Sequence, residues 1–316
     1  MDDLPASSLR REQLRPLLAR RDGPGLVRWC VQCSLFLGSG ICTILLVQAG
    51  HPGWLASVVL CGISLAFFFP SLHEAGHKTA FRTGALNEVC VWISAVLMLQ
   101  APSFFRAFHW AHHRHTQDRE LDPEIAAAPD MLAAWPRNPL VYLALASGQF
   151  LWVGKLMFTL SSALMPKGRL WERAFPFIRP GLRGRIAWES RLVLALLVGF
   201  CACGCLWVEG FAHVLWAWPI AHVVLGFYLM TEHTGLPHDG SQAHRTRSTR
   251  SSRLFEWLMW HMPYHAEHHI FPAVPFHALP ALRRELGNDI EHEAPGYLRF
   301  HIVAATRSFA RRARNS

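Results

Sequence analysis

The sequence predicts an all-α integral membrane protein, with four transmembrane helices in two hairpins, interfacial helices and a cytoplasmic cap rich in histidine. Composition gives the first reason: 51% of the 316 residues are hydrophobic and only 17% are charged, whereas a soluble domain carries about 25% charged residues. The second reason is the presence of apolar runs long enough to cross a bilayer, which requires roughly 20 residues. The third is that basic residues flank these runs, as is typical of cytoplasmic loops.

The first predicted hairpin follows a basic segment. Residues 1–30 contain six arginines and no apolar core, so they are interpreted as a cytoplasmic segment and not as a signal peptide. The apolar runs Val31–Ala49 and Gly53–Leu72 come next, joined by a tip that carries almost no charge. With the arginines inside the cell, the chain returns to the cytoplasm near Leu72.

The second predicted hairpin consists of Leu192–Val208 and Phe211–Met230. Between the hairpins, Val89–Ala101 is too short to span a bilayer and predicts an interfacial helix. The apolar stretch Leu140–Met165 is followed by a loop rich in arginine, which favours the cytoplasmic side for that loop. We therefore expect residues 140–165 to enter the membrane or lie along it without crossing, so that both termini are cytoplasmic.

Three regions follow from these runs: a basic N-terminal segment (1–30), a membrane domain (31–285) and a basic C-terminal tail (286–316). The net charge of +9 is spread over several loops and accompanies no recognition motif, so the expected partner is the membrane and not nucleic acid. The eight cysteines lie in or beside the apolar runs and are interpreted as small side chains of membrane helices.

Three clusters of histidine lie just past predicted membrane segments. They are His73 and His77, then His109, His112 and His113, then His265, His268 and His269. On a helix, the spacing i, i+3 and i+4 places side chains on one face. Eight imidazoles exceed the about four to six ligands of one metal ion and suit two ions. Imidazole binds zinc, copper, iron and nickel alike, but a site at the membrane face favours iron and oxygen chemistry on a lipid chain.

These histidine boxes resemble those of the membrane fatty acid desaturase family, which also includes hydroxylases and carotenoid ketolases. The boxes read His73-Glu-Ala-Gly-His77, His109-Trp-Ala-His-His113 and His265-Ala-Glu-His-His269, and the resemblance covers roughly residues 50–285. It implies four spanning helices, a centre of two ferrous ions and O2 as co-substrate. It also implies that a double bond is introduced into a fatty acyl chain, with electrons from an external ferredoxin-like protein or a haem cytochrome with its reductase.

The same family usually supplies one more histidine between the fourth span and the last box. His233 directly follows the fourth predicted span and fits this role, with His238 in reserve. Ligating imidazoles usually donate their other N–H to a carboxylate or a carbonyl. The carboxylates inside or beside the boxes are the candidates for this role: Glu74, Asp118, Asp122, Glu232 and Glu267. Of these, Asp118 and Glu267 are the predicted outer partners.

The residues around the third box suggest how its helix begins. Pro263 is expected to break or start a helix just before the ligands, so that His265 opens a fresh turn. His261, like His115 beside the second box, is expected to have an outer or solvated role.

Other reactions use the same boxes. A hydroxylase, a ketolase or an alkane-type monooxygenase would begin with the same hydrogen abstraction, so the box sequences leave the product open. A remote alternative is an intramembrane zinc metalloprotease, because His73-Glu74-Ala75-Gly76-His77 also satisfies HExxH. That alternative leaves six boxed histidines unexplained. A membrane metal store or transporter does not explain ligands gathered at one face.

Overall fold

A computed structural model of the chain describes residues 9–165 and 168–315 and confirms the all-α class. Residues 1–8 of the predicted N-terminal segment and Ser316 of the predicted tail lie outside the described residues. The helices are α1 (Arg11–Leu17), α2 (Asp22–Gln48), α3 (Trp54–Ala66), α4 (Phe68–Gly76), α5 (Gly84–Leu97), α6 (Pro102–His115), α7 (Pro129–Leu132), α8 (Pro139–Ala146), α9 (Gln149–Leu164), α10 (Arg169–Ala174), α11 (Pro180–Trp207), α12 (Phe211–Val214), α13 (Ala217–His233), α14 (Gln242–Arg245), α15 (Arg253–Leu258), α16 (His265–Ile270), α17 (Leu279–Leu286) and α18 (Tyr297–Asn315). Short 3-10 helices cover Phe276–Ala278 and Gly287–Asp289, and the strands β1 (Ser248–Thr249) and β2 (Glu293–Ala294) pair in parallel.

Within residues 9–165 and 168–315, four segments are long and apolar enough to cross a membrane: α2, α3 with α4, α11, and α12 with α13. Two bent helix pairs, α5 with α6 and α8 with α9, would bring the number to six if each pair formed one span. The four segments contain the four predicted spans to within one residue at either end, and they fit a multi-pass membrane protein. The helix α2 begins at Asp22, before the predicted start at Val31, because a carboxylate in the first turn favours a helix N-terminus. The helices α3 and α4 form one span, since Phe67 between them keeps a right-handed helical backbone (φ −66°, ψ −10°).

Two pairs of helices are sharply bent. The helices α5 and α6 meet at 96°, and α8 and α9 meet at 56° around Gly148, whose φ is +65°. The first pair contains the predicted interfacial segment Val89–Ala101, and the second contains Leu140–Met165. Their positions relative to the bilayer stay predictions, as does the cytoplasmic side of the histidine-rich face.

The spans pack around α3 and α13, while their outer faces are apolar. The helix α3 packs against α2 and α13, and α13 also packs against α8 and α9. Gly62 of α3 allows this approach, because a Cβ there would lie 2.5 Å from Cγ2 of Ile220. On α2, the side chains of Leu37, Ile41 and Leu45 are exposed. Exposed aliphatic side chains along a helix of this length are those expected to face lipid.

The C-terminal part of the chain covers the end of the bundle that carries the histidines. The helix α16 packs against α14 and α17, and α18 packs against α8 and α13. His301 of α18 donates a hydrogen bond through Nε2 to the carbonyl oxygen of Phe227, at 2.7 Å. Part of the predicted C-terminal tail is therefore a helix docked on the fourth span. The domain boundaries themselves stay predictions.

Candidate metal centre

Four helices carry the nine histidines singled out from the sequence, and each histidine lies near a helix end. His73 is in the last turn of α4 and His77 caps it, while His233 is the last residue of α13. The second box occupies the last two turns of α6. The third box forms most of α16, which begins at His265 as the preceding proline predicted. All nine side chains are buried, with at most 8% of each residue exposed.

The fold divides these histidines into two groups. In each group, one ring nitrogen per residue lies within 4.8 Å of the others. The first group is His73, His77, His109, His113 and His268, and the second is His112, His233, His265 and His269. Each group takes side chains from three separate helices, so neither forms in an isolated segment. The adjacent residues of each HxxHH box point into different groups.

Within the groups, the Nε2 atoms face one another at close range. His109 Nε2 lies 2.7 Å from His77 Nε2 and 3.0 Å from His113 Nε2, and His113 Nε2 lies 3.1 Å from His268 Nε2. In the second group, His265 Nε2 lies 2.9 Å from His233 Nε2. Ligand atoms in neighbouring positions around an ion at about 2.1 Å are about 3 Å apart, so these separations suit a shared metal ion. 

Some of the ring nitrogens have no other use in the fold. Neither ring nitrogen of His73 has a hydrogen-bond partner among the described residues, and Nε2 of His269 has none either. Buried polar atoms without partners are costly, and a bound cation would satisfy them. The donor set therefore fits metal ions held mainly by imidazole.

Carboxylates stand behind the Nδ1 atoms of the second group. Asp122 Oδ1 lies 3.0 Å from His112 Nδ1, and Glu124 Oε2 lies 3.6 Å from the same atom. Glu232 Oε1 lies 3.1 Å from His265 Nδ1. A carboxylate behind a ligating imidazole fixes the ring orientation and makes the ring a better ligand.

The remaining histidines of that group use neutral partners. His233 donates through Nδ1 to the carbonyl oxygen of Arg245, at 3.1 Å. His269 Nδ1 lies 3.2 Å from the hydroxyl of Thr116. Both contacts leave Nε2 pointing away from the partner, toward the centre of the group.

Glu74 serves the first group from behind in a similar way. Its Oε1 lies 3.7 Å from Nδ1 of His73 and 3.9 Å from Nδ1 of His268. Its Oε2 accepts hydrogen bonds from the hydroxyl of Thr79 (2.8 Å) and the backbone N–H of Phe276 (3.2 Å). In a zinc protease the glutamate of HExxH faces an open position on the metal. Here this glutamate is completely buried behind the histidines, which disfavours the protease alternative.

The two predicted outer partners have other contacts. Asp118 accepts hydrogen bonds from the backbone N–H groups of Glu120 and Leu121 (2.9 and 3.0 Å), so it caps a turn. Asp122, four residues further along, takes the position behind His112. Glu267 is buried and accepts from Arg283 Nη1 at 2.9 Å and from the hydroxyl of Ser248. Glu267 therefore anchors α16, and these hydrogen-bond partners include no histidine.

Neither group includes His238, the alternative to His233, or the neighbouring histidines His115 and His261. His238 donates through Nδ1 to the carbonyl oxygen of Gln117 (2.8 Å). His261 lies between Arg28 Nη2 (3.1 Å) and the carbonyl oxygen of Phe276 (3.0 Å). His115 is half-buried at the end of α6.

One residue that positions the site was not singled out from the sequence. Glu189 of α11 is buried and accepts hydrogen bonds from both the backbone N–H and the hydroxyl of Ser103, each at 2.7 Å. Ser103 is in the first turn of α6, where a negative charge stabilises exposed N–H groups. Nε of Arg185 also forms an ion pair with Oε1 of Glu189, at 2.8 Å. The sequence did contain a signal for Glu189, because a charged side chain beside an apolar run usually has a specific partner.

Burial keeps the imidazoles of the third box in the neutral form that can bind a metal ion. Loss of solvation on burial, together with the neighbouring histidines, lowers the pKa values of His265, His268 and His269 well below the usual 6.5. These rings are therefore neutral at pH 7, which is the form that binds a cation.

A cavity of about 520 Å³ opens beside both groups. Small-molecule sites commonly enclose about 300–1,000 Å³ and are largely apolar. Its wall includes histidines of the first group (His73, His109) and of the second (His112, His233, His265), together with apolar side chains such as Phe104, Phe108, Leu151, Phe158 and Leu229. The cavity thus brings an apolar molecule within reach of both candidate metal positions.

Comparison with known proteins places these features in a family. The model of the fatty acid desaturase family matches residues 52–301, a range that contains all nine histidines. Zeaxanthin 4-ketolase from Chlamydomonas reinhardtii is 25% identical over 244 residues, which are 72% of this chain and 45% of the ketolase. Sphingolipid delta(4)-desaturase/C4-monooxygenase from Homo sapiens is 25% identical over 218 residues, 68% of this chain and 59% of that protein. The chain thus spans about half the length of these two relatives, and it belongs to the fatty acid desaturase family.

Proposed function

We propose that this protein is an O2-dependent oxidoreductase that holds two iron ions and introduces a double bond into a fatty acyl chain. His73, His77, His109, His113 and His268 would hold one ion, and His112, His233, His265 and His269 the other. The first set has five imidazoles, which is more than the four ligands of a structural zinc site and suits iron. Family membership supports the oxidoreductase class.

The observation that carries this proposal is the position of the cavity. Histidines of both groups form part of one wall, and the rest of the lining is dominated by apolar side chains. A lipid chain in this cavity would present its methylene groups to both ions at once. When bound, the two ions supply the reduction of O2 and the removal of hydrogen from an unactivated carbon.

The side chains of the protein would hold the substrate and exclude water. Phe104 stacks on Phe158 with ring centroids 3.7 Å apart, so the cavity wall on this side is apolar and closely packed. Phe105 stacks on the ring of His109 (5.4 Å, 8° between planes) and fixes its orientation. Positioning of this kind favours reaction at one carbon of the chain over its neighbours.

The electrons would come from a separate protein, either ferredoxin-like or a haem cytochrome with its reductase. Arg114, which follows the second box in sequence, and Arg253, which opens α15 ahead of the third box, are both exposed. Basic side chains there suit an acidic donor, because opposite charges steer the encounter. The proposal places this face and both termini in the cytoplasm, in agreement with the basic loops of the sequence.

A second candidate is hydroxylation or ketone formation on the same substrate cavity. The two relatives are named as a ketolase and as a desaturase that is also a monooxygenase, so neither name separates the outcomes. An alkane-type monooxygenase would use the same histidines. These reactions differ in the product and not in the proposed metal ligands.

Mass spectrometry of lipids distinguishes the candidates. The full chain is expressed in a host that supplies iron and an electron donor, next to a host with an empty vector. Lipids lighter by two hydrogens support desaturation, whereas lipids heavier by one oxygen assign a hydroxylase instead. Unchanged lipids from cells in which the purified protein holds two irons would argue against both.

A further inference from the structure

The cavity contains a charged side chain that none of the proposed steps uses. Lys155 lies in the middle of α9 and lines the cavity, and only 7% of the residue is exposed. Its Nζ has no hydrogen-bond partner among the described residues. A buried amino group without a partner disfavours the folded state whether it is protonated or neutral, and a ligand that pairs with it would offset this cost.

The groups around Lys155 do not offset its charge. Among the described residues no carboxylate forms an ion pair with Nζ, and a nearby ionisable side chain is the imidazole of His222 of α13. His222 is itself completely buried, with Nε2 unpartnered. An imidazole carries no negative charge that could offset an ammonium group. A bound ligand that carries a hydrogen-bond acceptor or a negative charge would therefore pair with Lys155.

A second residue that lines this cavity has a polar atom without a hydrogen-bond partner. Gln100 lines it, and its Oε1 is buried without a hydrogen-bond partner among the described residues. The hydroxyl of Thr159 ties the two segments together, because it donates both to the carbonyl oxygen of Leu99 (2.9 Å) and to that of Lys155 (2.8 Å). The chain thus brings the residue next to Gln100 into contact with the helical turn that follows Lys155.

We propose that Lys155 and Gln100 form an anchor for an oxygen atom carried by the substrate. An ammonium group donates hydrogen bonds, and a carboxamide both donates and accepts, so a carboxylate or a hydroxyl satisfies the pair and a hydrocarbon does not. The substrate is thus an oxygen-bearing lipid, either a free acid or a neutral lipid with a hydroxyl group. This inference rests on the proposed function, since the anchored lipid is taken to be the one that reacts.

The anchor would set the register of the substrate chain. A polar end fixed at Lys155 leaves a defined number of carbon atoms between the anchor and the histidines that line the same cavity. The position of attack would then be counted from the polar end. An apolar cavity without an anchor would allow the chain to slide and give a mixture of positions.

Binding of three probes of equal chain length to the purified, iron-loaded protein tests the anchor: palmitic acid, 1-hexadecanol and hexadecane. We expect palmitic acid or hexadecanol to bind more tightly than hexadecane, with this preference reduced about tenfold or more in Lys155→Met. Lys155→Arg, which keeps a charged donor, should retain most of the preference. Val153→Met places the same new side chain on the exposed face of α9 and should bind as the natural protein does. Whether the acid or the alcohol binds better identifies the source of the oxygen.

Thermal stability without ligand gives a readout that a structural role would not share. Lys155→Met should melt at the same temperature as the natural protein or higher, because a buried amino group without a partner is removed. A lower melting temperature, equal binding of hexadecane and palmitic acid, or an undiminished preference in Lys155→Met would each overturn the anchor. Gln100→Leu tests it independently and should weaken the same preference. None of these binding outcomes depends on the product, so failure of the proposed reaction would be seen separately in the lipid analysis.

Discussion

Asp122 Oδ1 lies 3.0 Å from Nδ1 of His112, and both side chains are buried. The other oxygen of Asp122 accepts a hydrogen bond from the backbone N–H of Gln117 (2.8 Å), so the carboxylate is held from two sides. With Nδ1 directed at Asp122, Nε2 is the atom of His112 left for a metal. The loop after α6 therefore controls how a residue of α6 presents itself to the second group.

Replacing Asp122 by Asn should weaken metal binding at the second group. Loss of an outer carboxylate typically costs about 10–100-fold in metal affinity or activity. Asp118→Asn is the matched control, because Asp118 caps a turn through an oxygen that Asn retains. Metal titration of both purified variants measures the difference. Equal losses in the two variants would contradict the outer role of Asp122.

Replacing a single histidine in either group should weaken binding of the metal ion in that group only. His112→Ala and His268→Ala are both expected to fold and to retain about one of two irons, with activity reduced by more than the about 10–100-fold cost of an outer partner. His213→Ala, in the short helix α12 at the tip of the second hairpin, should keep both irons. Iron content and lipid products of the three variants are measured together. Full activity of either ligand variant would exclude the corresponding group from the reaction.

Glu189→Gln should loosen α6 and the histidines that it carries. The buried carboxylate accepts two hydrogen bonds from Ser103 and pairs with Arg185, so its neutral replacement is expected to cost about 1–3 kcal/mol in the free energy of unfolding. Denaturation of the protein in detergent measures this change. Glu172→Gln, an exposed carboxylate 3.7 Å from Arg183, is the control and should have little effect. Similar stabilities for the two variants would refute the positioning role.

Gly226→Ala should separate α13 from the chain that leads into α9. A Cβ at Gly226 would lie 2.5 Å from the backbone nitrogen of Gly148 and 2.8 Å from the carbonyl oxygen of Ala146. Overpacking of this kind costs about 1–3 kcal/mol, and both glycines line the cavity. Gly199→Ala, on α11 with open space around its Cα, should be neutral or stabilising. Melting temperatures test the pair, and an unchanged value for Gly226→Ala would count against the close approach.

The metal ions should stay bound until the pH falls below 6.5. Protons compete with a cation for imidazole, but burial lowers the pKa values of His265, His268 and His269 well below 6.5 in the metal-free fold. Protonation of these rings therefore begins at a lower pH than for an exposed histidine, and metal is retained across pH 6.5. Equilibrium dialysis over a pH series, followed by metal analysis, gives the midpoint. Loss of half the metal at or above pH 6.5 would be inconsistent with this account.

Much of the fold and of the candidate site follows from local sequence signals. Long apolar runs predicted the four spans, because a bilayer sets the length of a spanning helix. The HxxHH spacing predicted that His109, His112 and His113 share one helical face. Pro263 predicted the start of α16 at His265, which is correct. The nine histidines that were singled out all lie in the two groups.

Other features depend on contacts between distant segments, which no local pattern specifies. The choice of Asp122 over Asp118 depends on how the loop after α6 folds back, and both residues are equally acidic in sequence. Glu189 reaches Ser103 across 86 positions of the chain. Lys155 appeared in the sequence only as a charge within an apolar stretch.

The sequence by itself determined the membrane class, the helical segments and the histidines, since these depend on hydrophobic length and helical period. The tertiary structure decided which histidine belongs to which group, because His112 and His113 are neighbours in sequence but point into different groups. It also decided that Lys155 faces the cavity and that carboxylates stand behind the imidazoles. Such relations arise only when helices from all parts of the chain pack together and bury their polar groups against one another.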